Sequence, residues 1–109
     1  MPLIDSALLA LADPTRRAIL ARLAKGEATV MELAAPFDMS QPAVSHHLKV
    51  LEQAGLITRG RRGTSRPCRL APDGLADVES WLTGLRAAME SNYDRLDALL
   101  AEDDPQQET

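Results

Sequence analysis

The 109-residue chain is poor in aromatic residues and cysteine, and it has no long hydrophobic run. Aromatic residues make up 3% of the chain, so a core built from its 45% apolar residues must be aliphatic. A lone cysteine, Cys68, makes no internal disulfide and no multi-thiolate metal site, which fits a reducing cytoplasm. The stretch MPLIDSALLALADP lacks a basic region, so we expect neither a signal peptide nor a membrane span. The length predicts one small domain.

Acidic residues are scarce at the front of the chain and abundant at its back. Residues 1–72 carry ten Lys/Arg against six Asp/Glu, whereas residues 73–109 carry two against ten. The net charge of −4 therefore hides a basic front, and a polyanion would meet that local patch instead of the average.

Capping residues and apolar spacing predict four helices in the basic front. Asp13-Pro14 begins the second, the capping box Thr29-x-x-Glu32 begins the third, and Ser40 begins the fourth. Gly26 and Gly55 are placed to end helices in the left-handed conformation. The predicted helices are Leu3–Leu11, 15–24, 30–35 and 41–54.

An arginine-rich hairpin and a long helix follow. The stretch TRGRRGTSRPCRL, 58–70, has five arginines and no acid. Two short strands, 56–57 and Cys68–Leu70, would flank its glycines. Residues 73–101 then carry a heptad-like apolar seam that is too long for a domain of this size to cover. We expect one domain over 1–101 and an acidic, disordered tail over 102–109.

In this order of elements, the chain resembles the arsenic-repressor (ArsR/SmtB) family of bacterial transcriptional regulators. The matching segments are ALADPTRRAIL (10–20), VMELAAPFDMSQPAVSHHLKVLEQAGLI (30–57) and the arginine hairpin. The resemblance implies a mainly α fold with a small β-hairpin. This is a winged helix-turn-helix of about five helices and a two-stranded wing, dimerised through its first and last helices. It also implies a cytoplasmic, sequence-specific regulator of double-stranded DNA. We expect a homodimeric, autoregulatory repressor that binds an inverted repeat.

The helix 41–54 is predicted to enter the major groove, where its N-terminal residues would meet base edges. Val44, His47 and Leu48 share an inward face with Leu51, so His47 needs a local hydrogen-bond partner. His46 falls on the other face, and the first amides of the helix could hold a phosphate. The wing arginines would track the DNA backbone. Arg16 and Arg17 could each reach phosphate or pair with an acid. The predicted DNA-binding residues are Ser40, Gln41, Pro42, Ser45, His46, Lys49, Arg59, Arg61, Arg62 and Arg66.

The apolar residues of the first and last helices are predicted to form the homodimer interface. A two-fold dimer can place two reading helices in successive major grooves, which lie ~34 Å apart. The acidic back would repel DNA and leave the basic front to dock. The predicted interface residues are Leu3, Leu8, Leu75, Val78, Leu82, Leu85, Met89, Leu96 and Leu99.

A metal-responsive switch, which many members of the family use, is not expected. Thr29 and Met31 stand where one site type has two cysteines, and a hydroxyl and a thioether do not replace two thiolates. The second site type would fall on the last helix at Asp77, Glu79, Glu90 and Tyr93, with no histidine after His47. We therefore predict no metal and no cofactor.

Other functions stay open as alternatives. The same fold could act as a metal- or oxidant-responsive sensor or bind an unidentified small-molecule effector. Nearby arginines would favour a Cys68 thiolate, although a small apolar residue at the base of the wing is the simpler interpretation. A winged helix can also bind proteins. An enzyme is not expected, because the sequence offers no set of nucleophile, base and acid.

Overall fold

The computed structural model describes residues 3–60 and 66–102, and its elements follow the predicted order. The helices are α1 (Leu3–Leu11), α2 (Pro14–Leu23), α3 (Val30–Ala34), α4 (Gln41–Gln53) and α5 (Ala76–Glu102). The strands are β1 (Ile57–Arg59) and β2 (Cys68–Leu70), which form an antiparallel hairpin. The prediction of a mainly α chain with a small hairpin is confirmed.

Local capping sets the helix ends within a residue or two of the predicted positions. The Asp13 carboxylate accepts hydrogen bonds from the amides of Thr15 and Arg16, and Pro14 occupies the first turn of α2. At α3, both hydrogen bonds of the Thr29–Glu32 capping box are present. Gly26 and Gly55 adopt positive φ angles of 144° and 77°. These helix boundaries thus follow from side chains close in sequence.

The first of two compact units, Met1–Val78, has an aliphatic core. It draws on the inward faces of α2, α3 and α4 together with the hairpin. Burial of one large aliphatic side chain contributes roughly 1.5–3 kcal/mol, so these residues hold the helices together. The large fully buried side chains are Ile19, Leu33, Val44, Leu48, Leu51, Leu56, Ile57 and Cys68.

The hairpin is attached to the helices through its backbone. Its register pairs Ile57 with Leu70 and Arg59 with Cys68. Cys68 also exchanges two backbone hydrogen bonds with Ala28, at 2.7 and 3.1 Å, just before α3. The predicted first strand, 56–57, is placed slightly too early, because the pairing with β2 runs from Ile57 to Arg59. β2 is therefore hydrogen-bonded to β1 on one side and to the segment before α3 on the other.

The second unit, Glu79–Thr109, contains most of α5. Large apolar side chains along this helix are roughly half exposed, which leaves a stripe without a cover. The α5 stripe consists of Trp81, Leu82, Leu85, Met89, Tyr93, Leu96, Leu99 and Leu100.

Val78 corrects one predicted interface residue. Its side chain is only 6% exposed and belongs to the core of the first unit. Helical spacing placed it in line with the α5 stripe, but spacing alone does not tell which neighbour covers a residue. The first turn of α5 therefore belongs to the first unit and packs into its core.

No helix among residues 3–60 and 66–102 is long and apolar enough to cross a membrane. The predicted tail begins at Glu102, the last residue of α5, and residues 103–109 lie outside the described residues. The limits at 101 and 102 therefore stay predictions.

Gly74, just before α5, lies close to the backbone of Gly55 and Leu56. A Cβ on Gly74 would overlap the carbonyl oxygen of Gly55 and lie 2.9 Å from the Leu56 Cα. We expect Gly74→Ala to lower the free energy of unfolding by about 1–3 kcal/mol, because the obstruction is backbone and cannot rotate away. Urea denaturation followed by circular dichroism measures this loss.

The matched control is Gly84→Ala in α5. No described atom lies within 4 Å of a Cβ there, and alanine is the better helix former by about 1 kcal/mol. We expect this change to stabilise the protein. Equal effects of the two substitutions would contradict the close approach at Gly74.

Candidate nucleic-acid interface

The fourth helix has an apolar inner face and a polar outer face, as predicted. Val44, Leu48 and Leu51 are each 0% exposed, so they fix the rotation of α4 about its axis. The opposite face then points to solvent. Among the predicted contacts on that face, Gln41, His46 and Lys49 are exposed and Ser45 is half-buried.

The beginning of α4 offers fewer amides than predicted. Ser40 is exposed, but its hydroxyl accepts the amide of Ala43 at 3.3 Å and so caps the helix. Pro42 is exposed and has no N–H. Of the amides at 41–43, only that of Gln41 is left to meet a phosphate. The predicted phosphate site at the start of α4 therefore lacks the amides of residues 42 and 43.

The two adjacent histidines have different surroundings. His46 is exposed, whereas His47 is half-buried and its Nδ1 lies 3.3 Å from Nη1 of Arg16. Their ring centroids are 6.0 Å apart and their planes are tilted by 55°. Arg16 therefore supplies the local partner that the sequence demanded for His47.

The guanidinium of Arg16 also caps the C-terminal end of α1. Arg16 Nε donates to the Ala10 carbonyl at 2.7 Å, and Nη2 donates to the Leu9 carbonyl at 3.2 Å. Arg17 Nη1 likewise donates to the Leu11 carbonyl at 2.8 Å. Both arginines cap carbonyls at the end of α1, a further role that the sequence did not indicate.

The described arginines of the hairpin do not all point outward. Arg66 is exposed, as a DNA contact requires. Arg59 is half-buried, and its Nε is buried without a hydrogen-bond partner in the described chain. Arg69 pairs with Glu27 at 3.0 Å. Arg61 and Arg62 lie outside the described residues. Arg66 is thus the described wing arginine best suited to a backbone contact, and Arg59 is poorly suited.

Cys68 is enclosed at the base of the hairpin. Its side chain is 0% exposed, and Arg69 beside it in the strand points outward. Burial raises the pKa of the Cys68 thiol, although Arg59 acts in the opposite direction. The nearby arginines favour the thiolate, as expected, but desolvation of the buried thiol outweighs them. The geometry supports a structural cysteine.

The residues at the positions of the two metal-site types do not form a cluster of metal ligands in the described part of the chain. The Thr29 hydroxyl is engaged in the capping box, and Met31 is 70% exposed. Asp77, Glu79 and Glu90 are exposed on α5. Within residues 3–60 and 66–102, no three His, Cys, Asp or Glu side chains come together to hold a metal ion.

The predicted interface residues are mostly exposed. Leu8 of α1 is 36% exposed, and Leu75 before α5 is 37% exposed. The side chain of Leu3 lies outside the described part. Leu82, Leu85, Met89, Leu96 and Leu99 all belong to the α5 stripe. The sequence-based list omitted four further exposed apolar residues, namely Leu9, Trp81, Tyr93 and Leu100. Their helical spacing was the signal that could have found the last three.

Comparison with known proteins identifies relatives of the whole arrangement. Residues 13–59, from the cap of α2 to the end of β1, match the family described as "Bacterial regulatory protein, arsR family". The HTH-type transcriptional regulator Rv2034 of Mycobacterium tuberculosis is 46% identical over 98 residues, covering 83% of this chain and 92% of that protein. The transcriptional repressor SdpR of Bacillus subtilis is 37% identical over 79 residues, covering 72% and 88%.

A solved structure shares the fold. The solution structure of a homodimeric winged helix-turn-helix DNA-binding domain from Mycobacterium bovis matches with a TM-score of 0.64 at 28% identity. The match covers 78% of this chain and 79% of that one. The predicted winged helix-turn-helix fold is thus confirmed.

The burial of Cys68 predicts an unreactive thiol. We expect a disulfide reagent such as dithionitrobenzoate to modify the native protein at pH 8 at least about tenfold more slowly than the urea-unfolded chain. Burial both removes access and lowers the thiolate fraction. Absorbance of the released thiolate measures the two rates. Equal rates would contradict the structural role and restore the oxidant-sensor alternative.

Proposed function

Since this chain belongs to the arsR family of bacterial regulatory proteins, we propose that it is a homodimeric repressor that binds an inverted repeat in double-stranded DNA. A DNA target supports a cytoplasmic location for this function. The DNA upstream of its own gene is the first candidate operator.

The outer face of α4 carries the proposal. Gln41 can pair with the edge of an adenine, and His46 can bond to a base or a phosphate. Lys49 suits a phosphate. These side chains are exposed because the opposite face is wholly buried, so the core itself presents them. Arg66 adds a positive charge at the base of the wing.

The α5 stripe supports the homodimer. Exposed apolar patches of this extent on a small protein are typical of interaction surfaces. The same repeat of apolar residues on a second copy would cover it with two-fold symmetry. The acidic residues elsewhere on α5 would keep DNA away from this part of the dimer.

Removing Lys49 tests the reading face. We expect Lys49→Ala to weaken binding to all duplexes alike and to lower the slope of log affinity against log salt by about 1, because one phosphate contact is lost. Fluorescence anisotropy with labelled upstream DNA, at several salt concentrations, measures both quantities.

The control for this experiment is Arg95→Ala. Arg95 is equally an exposed cation, but it lies on α5 among acidic residues. We expect it to change neither affinity nor slope. If the protein bound no upstream fragment even at low salt, the proposed function would be rejected.

A charge placed in the α5 stripe tests the homodimer. We expect Leu85→Asp to convert a dimer of twice the 11.8 kDa chain mass into monomers, because a carboxylate would be buried without a partner. Sedimentation equilibrium measures the mass. Ala87→Asp is the control, since position 87 lies about 200° away round the helix. A wild-type monomer at micromolar concentration, or a dimeric Leu85→Asp, would contradict the interface.

A further inference from the structure

Arg16 connects two helices that the proposed function uses separately. Its Nε and Nη2 bind carbonyls at the end of α1, a helix of the proposed dimer interface, while Nη1 lies 3.3 Å from His47 of α4. His47 directly follows His46, a proposed DNA contact. One guanidinium therefore contacts both α1, a helix of the proposed dimer interface, and α4, the proposed DNA-binding helix.

The chemistry of this contact fixes the proton of His47. Arginine has only hydrogen-bond donors and keeps its charge at all relevant pH values. The Nδ1 atom of His47 must consequently accept, which places the ring proton on Nε2 and leaves the ring neutral. A second proton, added at Nδ1, would remove the acceptor and set two cations at hydrogen-bond distance.

We propose that Arg16 is a positioning residue that holds α4 in its DNA-reading orientation through neutral His47, and that protonation of His47 releases this hold and weakens DNA binding. This inference rests on the proposed DNA-binding function. It predicts a regulator whose operator affinity falls as the medium becomes acidic.

The groups around His47 set the direction of the effect. Arg16 opposes a second positive charge, whereas the Asp13 carboxylate at the start of α2 would attract one. The amides of Arg16 and Thr15 bind the Asp13 carboxylate and lower the pKa of Asp13, so Asp13 stays anionic on acidification to pH 5.5. On α4 itself, His46 is the titratable neighbour. The contributions of α1 are the Leu9 and Ala10 carbonyls, which bind Arg16.

His46 must be removed before the effect can be measured. A proton on this exposed residue would attract phosphate and strengthen binding in acid, which is the opposite sign. The background variant is therefore His46→Gln. In this variant His47 is the one histidine left, because the chain has two.

The decisive comparison is the ratio of DNA dissociation constants at pH 5.5 and pH 7.5. In His46→Gln, we expect the constant to rise about fivefold or more on acidification, the size of an ordinary coupling between sites. In His46→Gln with His47→Asn, we expect a ratio near one, because the asparagine carbonyl can accept from Arg16 and does not titrate. Fluorescence anisotropy with the upstream duplex gives both ratios.

Two further readouts separate positioning from mere stability. Nitrogen-15 spectra of the free protein at pH 7.5 should show His47 with an unprotonated Nδ1, and Arg16→Lys should alter this signal. Arg16→Lys should also lower DNA affinity severalfold while circular dichroism reports a folded chain, since lysine cannot span the three acceptors. Arg17→Lys is the matched control, because Arg17 binds an α1 carbonyl through a single bond to Leu11. We expect Arg17→Lys to leave both the nitrogen-15 signal of His47 and the DNA affinity unchanged.

Different outcomes would overturn the role of Arg16 and His47 and the proposed DNA binding. A flat pH profile in His46→Gln, or a proton on Nδ1 of neutral His47, would overturn the inference while DNA binding itself stands. Absence of DNA binding at every pH would overturn the proposed function, and the inference with it.

Discussion

The orientation of α4 is decided by the burial of Val44, Leu48 and Leu51. These three side chains occupy one face of a 13-residue helix and are wholly withdrawn from water. Any rotation that exposed one of them would cost about 1.5–3 kcal/mol and bring a polar residue into the core. The polar face that is left outside is therefore a consequence of the core.

Other contacts refine this arrangement without determining it. Ser40 caps the helix, and Gly55 ends it with a positive φ angle. The backbone bonds between Ala28 and Cys68 hold the hairpin against the helix-turn-helix. Arg16 then joins the end of α1 to His47, so that the reading helix and a helix of the proposed dimer interface are connected by one polar group. The chain uses aliphatic burial for the fold and a few charged groups for alignment.

Most of the fold could be predicted because its determinants are local. The capping residues lie within three positions of the helix starts they control, and the apolar spacing of α4 directly identifies its buried face. The role of Arg16 could not be predicted, since His47 lies 31 residues away in the chain. Val78 was misassigned for a related reason: its spacing fits a seam, but the core of its own unit covers it.

The central claim is that the outer face of α4 reads DNA, and an NMR titration tests it most directly. Adding upstream duplex to isotope-labelled protein should shift the amide signals of Gln41, Ser45, His46 and Lys49 first and most. Signals from the C-terminal half of α5 should move least, because that region is acidic and belongs to the proposed dimer interface. Shifts concentrated on α5, with α4 unchanged, would contradict the account.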